Sequence, residues 1–206
     1  MPDVQGNGDA FKPRLGWQDS RAWGLILILG YVVLAGLPVV LARIARLGSD
    51  QPFLAELGLG AALLGFSLLT LQVCLAGRFK TVDRPFGLDR VMRFHKAMAI
   101  VAGVLLLSHP LLLSAGLGQW RLFSLSTSWQ VYLGKVALLL LMLGIVYALL
   151  VRTWRLEYQT WRRIHTGMIV VVALAFLHST LLGPDLAKPV LRAYWFVLFG
   201  LALLVF

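Results

Sequence analysis

The sequence contains a single cysteine, Cys74, which lies inside an apolar run. One cysteine excludes an intrachain disulfide. The chain also has no Cys-x-x-Cys-His sequence for covalent attachment of a c-type haem, and no set of cysteines that would bind zinc or an iron–sulfur cluster. We therefore interpret Cys74 as a packing residue.

Charged side chains are also few: they make up 14% of the 206 residues, whereas 59% are hydrophobic. Both values are far from those of soluble globular proteins. The net charge is +10, but the lysines and arginines fall in short clusters between long apolar runs, where topology signals are found. The composition predicts an integral protein of a lipid bilayer that binds no nucleic acid.

Six apolar runs are long enough to be membrane helices. We predict an all-α membrane protein that consists of a polar N-terminal segment, 1–22, and a six-helix domain, 23–206. The first run is too long for a cleavable signal peptide. Gly58 and Gly60 follow no strand, so we expect them to allow close helix packing rather than to bind a nucleotide. The predicted spans are about 23–41, 52–76, 91–116, 130–151, 164–182 and 187–206.

Positive charge predicts the orientation of these spans. If the N-terminus is cytoplasmic, thirteen basic residues lie inside and six outside, as the positive-inside rule requires. The two termini are then both cytoplasmic, in a plasma or inner membrane. The inner residues are Lys12, Arg14, Arg21, Arg78, Lys80, Arg84, Arg90, Arg93, Lys96, Arg152, Arg155, Arg162 and Arg163. The outer residues are Arg43, Arg46, Arg121, Lys135, Lys188 and Arg192.

All four histidines of the chain lie in the third and fifth predicted spans, which run in the same direction. His95 and His165 each follow the basic residues that open their span, and we call them the inner pair. His109 comes fourteen residues after His95, a rise of about 21 Å, and His178 comes thirteen after His165, a rise of about 19.5 Å. His109 and His178 therefore form a second layer, the outer pair.

Helical geometry treats the two spans differently. Fourteen steps of about 100° return to within about 40° of the starting direction, so His95 and His109 share one face of their helix. Thirteen steps leave His178 about 140° from His165 on a straight helix. We therefore predict tilt, supercoiling or a local irregularity between Met168 and Leu177.

Two imidazoles at equal height on different helices are what a six-coordinate b-type haem needs. Two such layers predict two haems, with the four histidines as iron ligands. The alternatives are hydrogen-bonded core histidines and a pathway for metal ions or protons. Such a pathway is disfavoured because the spans nearly lack acidic residues, and Glu56 lies close to an outer edge.

Other side chains are candidates for contact with the haems. Met98 and Met168 each follow an inner histidine by three residues, and we interpret them as packing residues rather than iron ligands. A backbone carbonyl or one of four hydroxyls is expected to accept the second N–H of each imidazole. These hydroxyls belong to Ser108, Ser114, Thr166 and Ser179. Cations expected near the haem propionates are Arg93, Arg162 and Arg163 at the inner side, and Arg121, Lys135 and Arg192 at the outer side.

The stretch from Leu88 to His95 with His109, together with Trp161-Arg-Arg-Ile-His165 and His178, resembles the ferric reductase-like transmembrane domain of NADPH oxidases and ferric-chelate reductases. The resemblance covers about residues 23–206. It implies His95 with His165 and His109 with His178 as the ligands of two b-type haems. It also implies electron transfer from a cytosolic flavin to an outer acceptor, either oxygen, giving superoxide, or ferric iron.

The 206 residues contain neither a strand-flanked Gly-x-Gly-x-x-Gly nor a flavin-binding loop, the patterns of the cytosolic FAD and NAD(P)H domains that follow the sixth helix in the full enzymes of that family. We expect the chain to be the membrane part of such an oxidoreductase, with FAD and NAD(P)H held by a further domain or a partner subunit at the cytoplasmic face. One alternative is a stand-alone haem subunit that feeds a periplasmic reductase, as in the methionine sulfoxide reductase system. The other is a membrane carrier without redox chemistry.

Overall fold

The computed structural model of the chain describes residues 21–120, 124–150 and 157–206. Residues 1–20 of the predicted N-terminal segment lie outside this range. The described part is helical. Its helices, in chain order, are α1 (Arg21–Ala45), α2 (Phe53–Ala76), α3 (Lys80–Phe86), α4 (Leu88–Leu117), α5 (Trp129–Leu150), α6 (Tyr158–Thr166), α7 (Met168–Leu182) and α8 (Pro189–Val205).

Five helical segments of the described residues are long and apolar enough to cross a membrane: α1, α2, α4, α5 and the α6–α7 segment. They correspond to the first five predicted spans. The sixth, 187–206, coincides with α8, whose 17 residues cover about 25 Å at the helical rise. A bilayer core is about 30 Å thick, so a sixth crossing stays a prediction.

The outward faces of these helices are apolar. On α1, for example, Leu25, Leu29 and Val32 are each about 60% exposed or more. Exposed apolar surface of this extent is unfavourable in water and favourable against lipid. The helical bundle therefore has the surface of a protein that lies in a bilayer.

Helix α2 is the central helix, with more than half of its apolar stretch buried, and it packs most extensively on α4. Glycines permit the close approach: a Cβ on Gly65 would lie 2.8 Å from Leu106 Cγ, and one on Gly116 would lie 2.4 Å from the Ala55 nitrogen. Gly58 also faces α4 closely. A Cβ on Gly60, by contrast, would meet only Val39 at 3.8 Å. The predicted packing role is thus confirmed for Gly58 but not for Gly60.

Two ion pairs join different segments of the chain at the end of the bundle that carries the outer pair. Arg46 Nε and a terminal nitrogen of its guanidinium each lie 2.6 Å from a carboxylate oxygen of Asp185, which is 5% exposed. Arg43 makes a similar pair with Glu56 at 2.7 and 2.8 Å, but its side chain is exposed. The Arg46–Asp185 pair joins the α1–α2 loop to the 3₁₀ turn Pro184–Ala187 that precedes α8.

The fifth span is irregular, but not where the irregularity was predicted. The helix is interrupted at Gly167, between α6 and α7, where the amide of Val170 donates to the Gly167 carbonyl over 3.0 Å in a tighter, three-residue turn. The interruption lies one residue before the predicted interval, which began at Met168. His165 therefore belongs to α6 and His178 to α7.

Candidate functional site

The inner pair joins residues that are seventy positions apart in the sequence. His95 lies on α4 and His165 near the end of α6, and their ring centres are 6.0 Å apart, with ring planes at 67°. Both side chains are partly buried. The structure thus brings these two predicted site residues together.

This spacing suits a shared metal ion. A bond from a metal to an imidazole nitrogen is about 2 Å long, so a metal between two imidazoles separates the ring centres by about 6 Å. The angle between the rings is no obstacle, since each ring can rotate about its own metal–nitrogen bond. The inner pair therefore fits an iron with two axial imidazoles.

A third ring lies against the inner pair. Trp161 stacks on His165 with a centroid distance of 5.2 Å and an interplanar angle of 12°, and the ring of Tyr158 lies 5.6 Å from that of Trp161. Trp161 and His165 are four residues apart on α6, the spacing that places side chains on one helix face. This contact was not predicted from the sequence, although the four-residue spacing could have revealed it.

The outer pair comprises His109 on α4 and His178 on α7, and both rings are fixed by main-chain oxygens. His109 Nδ1 lies 3.0 Å from the oxygen of Gly58, and His178 Nδ1 lies 2.9 Å from the oxygen of Gln130. The two imidazoles lie near each other. The structure thus brings this predicted pair to the same region of the bundle.

These hydrogen bonds determine which nitrogen carries the proton. A carbonyl oxygen only accepts, so Nδ1 must be the donor, and in a neutral imidazole Nε2 then keeps its lone pair. This is the usual arrangement of a histidine that binds a metal through Nε2. Nε2 of each outer histidine is therefore available to bind a metal.

Two glycines without a predicted role in ligation shape the outer site. A Cβ on Gly58 would lie 3.0 Å from the Leu113 nitrogen and 3.2 Å from the His109 oxygen, so the missing side chain lets the Gly58 carbonyl reach His109. A Cβ on Gly134 would lie 2.6 Å from His178 Cε1 and 2.7 Å from its Nδ1. A glycine inside a helix is destabilising, and this was the only sequence signal at Gly134.

The helices that carry the histidines belong to two different helix pairs. Helix α4 packs mainly on α2, and α7 packs mainly on α5, whereas α4 and α7 have little main-chain contact with each other. The histidines of each layer therefore approach from two separate helix pairs.

Two of the four hydroxyls predicted to orient the imidazoles have other partners. Ser108 donates to the Leu105 carbonyl, and Ser179 donates to the Phe176 carbonyl and accepts from the indole of Trp195. The oxygen of Ser114 is buried and has no partner among the described atoms. At the outer pair the predicted alternative, a backbone carbonyl, is the acceptor.

The two methionines have environments that suit packing. A Cβ on Gly144 would lie 2.6 Å from Met168 Sδ, so this sulfur rests against α5. Met98 packs on the hydrophobic core. Neither observation gives these residues a role as iron ligands.

The predicted cations have different surroundings. At the inner end, Arg93 borders an open recess of about 500 Å³ that Arg84 and Arg90 also line, and Arg163 borders another of about 460 Å³ with Arg162. At the outer end, Lys135 donates to the Ser124 carbonyl over 2.6 Å and Arg192 donates to the Leu186 carbonyl over 3.1 Å. Arg121 lies outside the described residues.

Within the described ranges no three histidine, cysteine or acidic side chains come together as a metal-binding group. The inner imidazoles instead come together as a pair. Two axial nitrogens leave the remaining positions of an iron to a macrocycle, as in a six-coordinate haem protein.

Comparison with known proteins gives one match. The family described as ferric reductase-like transmembrane component matches residues 61–176, which is more than half of the chain. The matched region contains three of the four histidines and ends two residues before His178. No curated protein and no solved structure matches the chain.

Proposed function

The chain belongs to the family of ferric reductase-like transmembrane components, and we propose that it conducts electrons across a membrane through two b-type haems. The family and the apolar helices indicate an integral membrane protein with a part in electron transfer. The proposal adds the two haems, the direction of electron transfer, and the electron donor and acceptor. Electrons pass from a cytosolic flavin and NAD(P)H donor to oxygen or ferric iron on the other side.

The observation that carries the proposal is the tautomer of the outer histidines. The carbonyls of Gly58 and Gln130 hold Nδ1–H of His109 and His178, so Nε2 of each ring is free to bind iron. His95 and His165 would hold the inner haem at the spacing already described. When bound, a bis-imidazole haem supplies a one-electron ferric/ferrous couple without an open site for a ligand.

The vertical separation of the two layers supports a path across the membrane. The fourteen residues from His95 to His109 lie on one helix, α4, and rise about 21 Å, which is about two thirds of a bilayer core of about 30 Å. An electron that reaches the outer haem has therefore crossed most of the hydrocarbon region.

The inner end has the charge expected of a donor surface. The recess beside Arg84, Arg90 and Arg93 and the exposed Arg162 and Arg163 form a positive surface around the inner pair. Such a surface attracts anionic partners, and a flavin nucleotide or an acidic flavoprotein domain is one. The positive-inside rule then places this end, and both termini, in the cytoplasm of a cell with this protein in its plasma membrane.

The same basic residues would neutralise haem propionates. Arg93 on α4 and Arg163 on α6 each lie two residues before an inner histidine, and Arg121 follows the end of α4 at the outer side. A carboxylate in or near a bilayer is stabilised by a neighbouring arginine. We assign these three arginines to the propionates as part of the proposal.

Electron transfer can be tested in sealed vesicles. The haem-loaded chain is reconstituted with ferricyanide trapped inside, and dithionite is added outside as the electron donor. We expect ferricyanide to be reduced by the wild-type chain and not by the His109→Ala chain, in which the outer haem is missing. Reduction no faster than in protein-free vesicles would contradict the proposal.

A further inference from the structure

Two buried polar atoms near the inner pair have no hydrogen-bond partner among the described residues: His95 Nδ1 and Gln72 Oε1. Gln72 lies on α2 and is 6% exposed. Its amide nitrogen is held by the Tyr31 hydroxyl at 3.3 Å and the Leu68 carbonyl at 3.2 Å. Only its oxygen is therefore left to accept, and a buried acceptor without a donor is costly.

The pairing of α2 with α4 places these two atoms at the same level. His109 on α4 donates to Gly58 on α2. Gln72 lies fourteen residues after Gly58, and His95 lies fourteen residues before His109. Since the two helices are antiparallel, equal steps in opposite directions keep two residues level, at about 21 Å from the outer contact.

Glycine contacts show that this register is kept between the two layers. A Cβ on Gly58 would meet Leu112 and Leu113, and one on Gly65, seven residues later, would meet Leu105 and Leu106, seven residues earlier. Another step of seven residues leads to Gln72 on one helix and to the turn that follows His95 on the other. Gln72 is thus the inner counterpart of Gly58.

Tyr31 provides independent support for the proximity of Gln72 and His95. Its hydroxyl accepts from Gln72, and its ring contacts Phe94, the neighbour of His95, with a centroid distance of 5.0 Å. One tyrosine therefore touches both sides of the proposed contact.

We propose that Gln72 is the positioning residue of the inner haem ligand: its Oε1 accepts the Nδ1–H of His95, so that Nε2 of His95 is directed to the iron. The inference rests on the proposed function. An oxygen acceptor would then orient a histidine in both layers, with the side-chain oxygen of Gln72 in place of the Gly58 carbonyl. The amide of Gln72 is already fixed by Tyr31 and Leu68, which orients its oxygen.

An acceptor on Nδ1–H makes an imidazole a stronger electron donor and thereby favours ferric iron. Loss of an outer-shell partner changes metal binding by about tenfold or more. A tenfold loss of preference for the ferric state equals a rise of about 59 mV in the potential of a one-electron couple. The potential of the inner haem therefore reports on Gln72 directly.

The experiment is a redox titration of the purified, haem-loaded chain, followed by its absorption bands. We expect Gln72→Met, which keeps the length but not the acceptor, to raise one of the two midpoint potentials by about 59 mV. Gln72→Asn should raise the same potential, because its oxygen is withdrawn by one methylene. Gln72→Glu, which keeps an acceptor at that distance, should not raise it.

Thr70→Val is the matched control. Thr70 is a buried polar residue on α2 whose hydroxyl donates only to the Phe66 carbonyl of its own helix, so both potentials should stay at their wild-type values. Unchanged potentials in Gln72→Met and Gln72→Asn would overturn the inference and leave the main-chain oxygen of Gln72 as the acceptor. A wild-type chain that binds no haem would instead overturn the proposed function.

Discussion

The Nδ1 atom of His109 lies 3.0 Å from the main-chain oxygen of Gly58. This contact joins the helix that carries two predicted ligands to the central helix of the bundle. The contact is possible because Gly58 has no side chain. A Cβ at this position would lie 3.0 Å from the Leu113 nitrogen. The orientation of an outer ligand therefore depends on the absence of a methyl group on α2.

Gly58→Ala is accordingly expected to separate α2 from α4 and weaken the outer site. The chain should lose most of one haem and keep the other, as measured by haem per polypeptide. Gly60→Ala is the control, because its Cβ would have only an ordinary contact with Val39. Equal haem content in the two variants would show that close packing at Gly58 does not serve the ligand.

Gly134→Ala is expected to displace the imidazole of His178. The new Cβ would lie 2.6 Å from Cε1 of the ring, so the ring must turn away from its contact with the Gln130 carbonyl. Loss of the outer haem, seen in the absorption spectrum of the purified chain, is the predicted result. Gly200→Ala, with no atom within 4 Å of its Cβ, should leave the spectrum unchanged.

Trp161→Leu should weaken the binding of the inner haem because it removes the ring that stacks on His165. An aromatic pair contributes about 0.5–1.5 kcal/mol, or about 2- to 13-fold in affinity. Transfer of haem to an excess of an apo-globin measures this loss. Trp161→Phe keeps a ring and should retain haem more strongly; identical transfer from the two variants would argue against a role for the stack.

Asp185→Ala should destabilise the bundle strongly, since it leaves Arg46 buried without its partner. Breaking a buried pair costs about 3–5 kcal/mol, whereas an exposed pair contributes about 1 kcal/mol or less. Glu56→Ala, which breaks the pair with the exposed Arg43, is therefore the control. Unfolding in detergent, followed by circular dichroism, gives both free energies, and similar losses would contradict the assigned difference in burial.

The sequence was sufficient to predict the five long apolar helices and the pairing of His95 with His165, because hydropathy and helical periodicity depend on local spacing. The 140° mismatch between His165 and His178 predicted an irregularity between Met168 and Leu177, whereas the structure interrupts the helix one residue earlier, at Gly167. The short helix α3 was not among the predicted helices. The Arg46–Asp185 pair and the fit of Gly134 to His178 depend on contacts between distant segments, which no local pattern encodes.

Haem stoichiometry tests the central claim most directly. Pyridine haemochrome spectra of the purified chain should give two b-type haems per polypeptide. Replacing His95 or His165 with alanine should remove one haem, and replacing His109 or His178 should remove the other. A folded chain that is purified without haem from haem-replete cells, or four histidine variants that all keep two haems, would contradict the account.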